Sequence, residues 1–166
     1  SNVQRWDIEP ADIVQVKDGM VEAGKMASRS VALHYEIYRR NPKVNSIILT
    51  QSPALMGFAT TGIKFDVRTI PESCIFLQDI PTFPFGSQYD EHLDALAEEF
   101  RTRPFVILAN DSVVVTGDRL INTFDRLEVA DFSARSLIMA APLGKLSPIT
   151  DAEIEDLRVA FHVGEA

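Results

Sequence analysis

The apolar positions change period several times along the chain, and each change marks an element. Asn45–Thr50 reads Asn-Ser-Ile-Ile-Leu-Thr, a short run rich in β-branched and aliphatic residues, and predicts a strand. Ser52-Pro53 follows, with a residue suited to an N-cap and a proline suited to the first helical position. A helix is therefore expected over roughly Pro53–Thr60, ended by Gly62. Upstream, Ile13, Val14 and Val16 are interleaved with polar residues, and Asp18-Gly19 separates them from Met20-Val21, which signals a hairpin. Ser28–Arg40 predicts a helix with Val31, His34, Tyr35 and Tyr38 on one stripe, stopped by Asn41-Pro42. Ile63–Arg68 alternates weakly and fits a strand or an extended loop. Pro71–Gln78 predicts a short helix, and Ile80–Phe85, with Pro81 and Pro84, is at best an edge strand.

The second half is more regular. Asp90–Arg101 predicts a helix with Leu93, Leu96, Ala97 and Phe100 inside and Glu91, Asp94, Glu98 and Glu99 outside. Phe105–Ala109 and Val113–Thr116 are apolar strands joined by Asn110-Asp111-Ser112, a hairpin. A long helix is expected from about Asp118 to Ala140, with Leu120, Phe124, Leu127, Ala134 and Ile138 inside. Thr150 and Glu153 form a capping box that opens a last helix, with Ile154, Leu157 and Phe161 inside. Hairpins mixed with helices point to an α/β or α+β layered domain whose sheet is largely antiparallel.

Length and charge narrow the class. A chain of 166 residues is expected to form one domain, 1–166, and a hydrophobic fraction of 46% fits a packed core rather than disorder. The net charge of −8 disfavours nucleic acid and anionic membrane as partners, because both need a basic face. No apolar run reaches the ~18 residues of a membrane span. The one cysteine, Cys74, rules out an intrachain disulfide framework and fits a reducing, cytoplasmic setting.

Candidate chemistry is sparse. Thr50, Gln51 and Ser52 end a strand just before a helix N-terminus, a common place for a site, but none is a strong metal ligand or an acid–base group near neutral pH. His34, His92 and His162 are far apart in sequence: His34 is expected to be buried and bonded to backbone, and the other two to lie at the surface. Cys74 is expected to be a buried structural thiol. Asp111 is expected to close its turn. The acidic residues of the amphipathic helices read as solvated faces.

Several ordered landmarks carry a resemblance. Ser28-Arg29-Ser30-Val31-Ala32-Leu33-His34, Ile37-Tyr38-Arg39, Pro42-Lys43-Val44, Ile48-Leu49-Thr50-Gln51-Ser52-Pro53, Asn110-Asp111-Ser112 and Ala141-Pro142-Leu143-Gly144 follow one another much as in the class II aldolase/adducin head family. That family includes L-fuculose-phosphate aldolase, and the resemblance spans roughly Glu9–Phe161. It implies a three-layer domain with a largely antiparallel central sheet flanked by helices. It also implies a homo-oligomer, a tetramer in the family's manner, with the site near subunit contacts.

The departures bear on function. The family's zinc is held by histidines at positions that are Leu49, Gln51 and Asp111 here, and its catalytic glutamate falls at Ser30. Of two phosphate-contacting serines, Ser28 is kept and the second is Arg29. No Tyr lies between Tyr38 and Tyr89, where the family has a catalytic one. The family's first helix and its Gly-Asn phosphate loop have no counterpart here, so an upstream or partner domain is expected. The expectation is a non-catalytic family domain with an assembly or scaffold role, holding no metal or cofactor. The alternative is a sugar-phosphate-binding protein, or a lyase with altered chemistry, using Ser28, Arg29, Ser30, Thr50, Gln51 and Asp111. An aldolase completed by a missing segment or partner is a third reading.

Overall fold

The structure is a computed structural model and describes residues 6–162; the ends of the expected domain, 1–5 and 163–166, lie outside the described residues. A two-stranded hairpin comes first, β1 (Val16–Lys17) and β2 (Met20–Val21). Its turn has Asp18 at φ 51° and Gly19 at φ 76°, the left-handed pair that an Asp-Gly turn supplies at little cost. Helix α1 (Val31–Arg40) follows, then β3 (Ser46–Thr50), α2 (Pro53–Thr61), α3 (Pro71–Phe76) and β4 (Thr82–Phe83). Helix α4 (Leu93–Glu99) leads to β5 (Phe105–Leu108) and β6 (Ser112–Gly117), and the chain closes with α5 (Leu120–Ala140) and α6 (Asp151–Ala160). Residues 63–68 form no strand.

The main sheet has the order β3-β6-β5-β4. Ladders β3–β6 and β5–β6 are antiparallel, as the hairpin at 109–111 requires, but β4 pairs parallel with β5. The sheet is therefore mixed, which corrects the expectation of a largely antiparallel one. The chain passes from β4 through α4 to β5, a crossover that returns it in the same direction. Two prolines leave β4 only two residues long, at the edge.

Period-2 alternation divides the central strands between two cores. Phe105, Ile107, Val113 and Val115 pack with Leu55, Phe58 and Ala59 of α2 and Ala130, Ala134 and Leu137 of α5. On the other face Val106, Leu108 and Val114 pack with Leu33 and Ile37 of α1 and Leu96 and Ala97 of α4. Both faces being covered, β5 and β6 are buried along their whole length.

Three expected stripes differ. On α1 the buried pair is Leu33 and Ile37, while Tyr35 and Tyr38 are exposed. On α5 the buried face is Thr123, Ala130, Ser133, Ala134 and Leu137, and Leu120, Phe124 and Ile138 are exposed. Small side chains let this helix lie close to the sheet, so the largest residues are displaced from the contact. Helix α6 keeps its capping box, with Thr150 Oγ1 accepting from the Glu153 backbone N–H, but buries no residue, and Phe161 is exposed.

Candidate functional site

The ends of β3 and of the β5–β6 hairpin open side by side into a cleft of about 430 Å³. All six predicted residues line it: Ser28, Arg29 and Ser30 from the segment entering α1, Thr50 and Gln51 from the end of β3, and Asp111 from the hairpin turn. Leu49, Met26, Ala27, Tyr89 and Ser112 complete the wall. The turn is fixed by its backbone. Asn110 takes a left-handed φ of 56° and its N–H donates to the Ala59 carbonyl of α2 at 3.0 Å, while the Asp111 N–H donates to Leu108 at 3.1 Å. Short polar Asn tolerates that conformation better than most residues.

One side of the cleft is built for hydrogen bonding. The Ser28 and Ser30 hydroxyls lie 2.9 Å apart, and the Ser30 backbone N–H donates to Ser28 Oγ at 3.3 Å. Arg29 stacks its guanidinium over the Tyr89 ring, 5.7 Å from the centroid, and among the described residues has no carboxylate within ion-pair distance.

The other side is closed on itself. Gln51 Nε2 donates to the Asp111 backbone carbonyl at 2.7 Å. Asp111 Oδ2 accepts from Gln88 Nε2 at 3.0 Å and from Ser112 Oγ at 2.7 Å. Leu49 packs against the apolar cluster of α1 and α4. These three positions do not fit zinc: one is aliphatic, one presents an amide N–H to a carbonyl, and the third is a carboxylate already holding two donors. Ser30, which also lines the cleft, offers only a hydroxyl, not a general base near neutral pH. Among the described residues no three His, Cys, Asp or Glu side chains are grouped to hold a metal ion.

A second cleft, about 640 Å³, lies beyond β3 and shares Thr50. Ser52, Pro53 and the aromatic faces of Phe124 and Phe132 line it. The expected N-cap bond of Ser52 is not made; its hydroxyl donates instead to Asp131 of α5, which also pairs with Arg135 Nε at 2.6 Å. These polar groups satisfy one another, so the smaller cleft, with unpaired Arg29, is the better candidate site.

The remaining candidates lie elsewhere. Cys74 is buried, burial pushes its thiol pKa up, and Sγ–H donates to the Val67 carbonyl at 3.4 Å, as a structural thiol would. His92 is exposed with Nδ1 2.9 Å from Asp90, and His162 is exposed. His34 does not make its expected ring bond, because Nε2 is buried with no partner among the described residues. Gln88 and Tyr89 were invisible as site residues. Their only signal is position, just past β4, where the crossover brings them beside a turn 23 residues away.

Comparison with known proteins places this architecture. The family model for the Class II Aldolase and Adducin N-terminal domain matches residues 1–138. L-fuculose phosphate aldolase of Methanocaldococcus jannaschii is 33% identical over 124 residues, 74% of this chain but only 66% of that protein, just under two thirds of its length. The 3-oxo-tetronate 4-phosphate decarboxylase of Haemophilus influenzae is 24% identical over 162 residues, covering 95% of this chain and 76% of that protein. A solved L-fuculose 1-phosphate aldolase superposes with a TM-score of 0.82 over 98% of this chain and 77% of that one, at 20% identity, a likeness of fold. The chain belongs to the class II aldolase and adducin N-terminal domain family.

Proposed function

We propose that this chain is a family domain that retains the cleft but does not carry out metal-dependent aldol cleavage, and that it serves in assembly. The observation that carries this reading is the donor set at Leu49, Gln51 and Asp111, with Asp111 Oδ2 engaged by Gln88 and Ser112. Aldol cleavage needs a Lewis acid to stabilise the enediolate and a base to move a proton. Leu49, Gln51 and Ser30 supply neither. Exposed apolar side chains on α5, Leu120, Ile121, Phe124 and Phe132, favour association into a homo-oligomer. A lone buried thiol favours a reducing, cytoplasmic compartment. The test is retro-aldol turnover of L-fuculose 1-phosphate with and without added zinc. No turnover above the uncatalysed rate is expected, and zinc-dependent turnover would overturn the reading.

One observation favours a second reading, capture of a phosphorylated or carboxylate compound. Among the described residues Arg29 has a cation free of carboxylates beside the Ser28 and Ser30 hydroxyls, in a chain of net charge −8. A thermal-shift screen with sugar phosphates checks this. Stabilisation that disappears in Arg29→Ala supports it, and no shift with any compound refutes it.

A further inference from the structure

Three segments distant in sequence meet beneath the cleft: the end of β3, the turn between β5 and β6, and the loop after β4. The Gln51 amide joins the first two across 60 residues, and the Gln88 amide joins the last two across 23. Both bonds end on Asp111, one on its carbonyl and one on its carboxylate. Gln88 is 1% exposed, and its Oε1 has no partner among the described residues. A buried amide with one orphan acceptor is costly, so its single bond to a charged acceptor has to offset that cost for the loop to stay in place.

We propose that Gln51, Gln88 and Asp111 form a metal-free clasp that holds the floor of the cleft together. Its hydrogen bonds join the segments that ligation to a common ion could otherwise join. They also oppose ligation, because the N–H groups of Gln88 and Gln51 point their positive ends at Asp111, and they occupy its Oδ2 and its carbonyl oxygen. This inference rests on the reading of the cleft as one without a divalent ion, and its test is separable from the test of that reading.

The experiment is a reciprocal swap, read as melting temperature near neutral pH with and without a chelator and with zinc. Gln88→Glu sets a carboxylate against Asp111 and removes the donor, and is expected to lower the melting temperature by about 4–8 °C. Gln88→Glu combined with Asp111→Asn restores a donor and an acceptor in exchanged places, and is expected to melt well above Gln88→Glu alone. If Gln88→Glu melts with the parent, or the double variant melts no higher than the single one, the clasp is refuted. Should neither fold, Gln88→Met, of similar length and without an N–H, takes their place: a drop supports the clasp and an unchanged melting temperature refutes it. A chelator is expected to change nothing. Stabilisation of the parent by zinc would count against the metal-free reading, while the swap still decides whether the side chains are coupled.

Discussion

At the scale of single residues, His34 gives the clearest consequence. It sits on α1 with Nε2 buried and without a partner among the described residues, and burial lowers its pKa because the charged ring would lose its hydration. The folded value lies below the unfolded one of about 6.5. The unfolded chain therefore takes up a proton first as the pH falls, and stability present above about pH 6.5 is lost on descending from there towards the folded value. Chemical unfolding between about pH 7.5 and 5 is expected to show this decline, and His34→Gln to flatten it; an unaltered slope in the variant would assign the decline to other groups. Carboxylates act lower down. Asp66, held below the usual range chiefly by the Arg68 hydrogen bond, and Glu153, held down chiefly by the Thr150 backbone N–H, lose their contributions only as the pH falls below the ordinary carboxylate range. At this scale the cleft was partly legible. Ser28, Arg29, Ser30, Thr50, Gln51 and Asp111 could be named because each lies in a local motif, and all six line one cleft. Gln88 and Tyr89 could not be, since what brings them there is a crossover and a pairing of strands that no local pattern records. The expected cap at Ser52 failed for a similar reason: a carboxylate 79 residues away took the hydroxyl.

Among the elements, the contact between the end of β6 and the start of α5 is the tightest to probe. A Cβ added at Gly117 would lie 2.5 Å from Thr123 Oγ1, 2.9 Å from Arg126 Nη1 and 3.3 Å from the Thr123 backbone nitrogen. The Thr123 hydroxyl is itself bonded to the Arg119 carbonyl at 2.9 Å, and Arg126 donates to the Thr116 carbonyl at 2.8 Å, so neither neighbour moves freely. Gly117→Ala is expected to cost about 1–3 kcal/mol, measured by denaturant unfolding. A neutral result would mean that α5 shifts easily on the sheet. This helix is also where the periodic reading fell short. Its boundary was readable to within two residues, and Leu127 and Ala134 of the expected stripe pack in the core, but Leu120, Phe124 and Ile138 do not, because a stripe drawn through them follows size. Close packing against the sheet selects Ala130, Ser133 and Ala134, with Ser133 sharing a buried hydrogen bond with Ser73 of α3. The hairpin of β5 and β6 was legible because its signal is local. The parallel seat of β4 was not, since parallel pairing depends on what the intervening helix packs against.

For the whole molecule, the two cores on either side of one sheet account for the burial of β5 and β6 and leave α5 with an apolar outer surface. If that surface is covered by a further copy, Phe124→Asp should lower the molecular mass in solution without lowering helical content, as read by light scattering and circular dichroism. An unchanged mass would place any assembly elsewhere. Among the described residues no helix is long and apolar enough to cross a membrane. The architecture is that of the class II aldolase and adducin family, and the cleft presents an aliphatic chain, an amide and a carboxylate with two donors on Oδ2, a set that does not fit zinc. Calorimetric titration of the purified chain with zinc tests this most directly. The account predicts no stoichiometric uptake and no change on replacing Asp111 by Ala. One zinc bound per chain, with affinity lost in Asp111→Ala or Gln51→Ala, would contradict it.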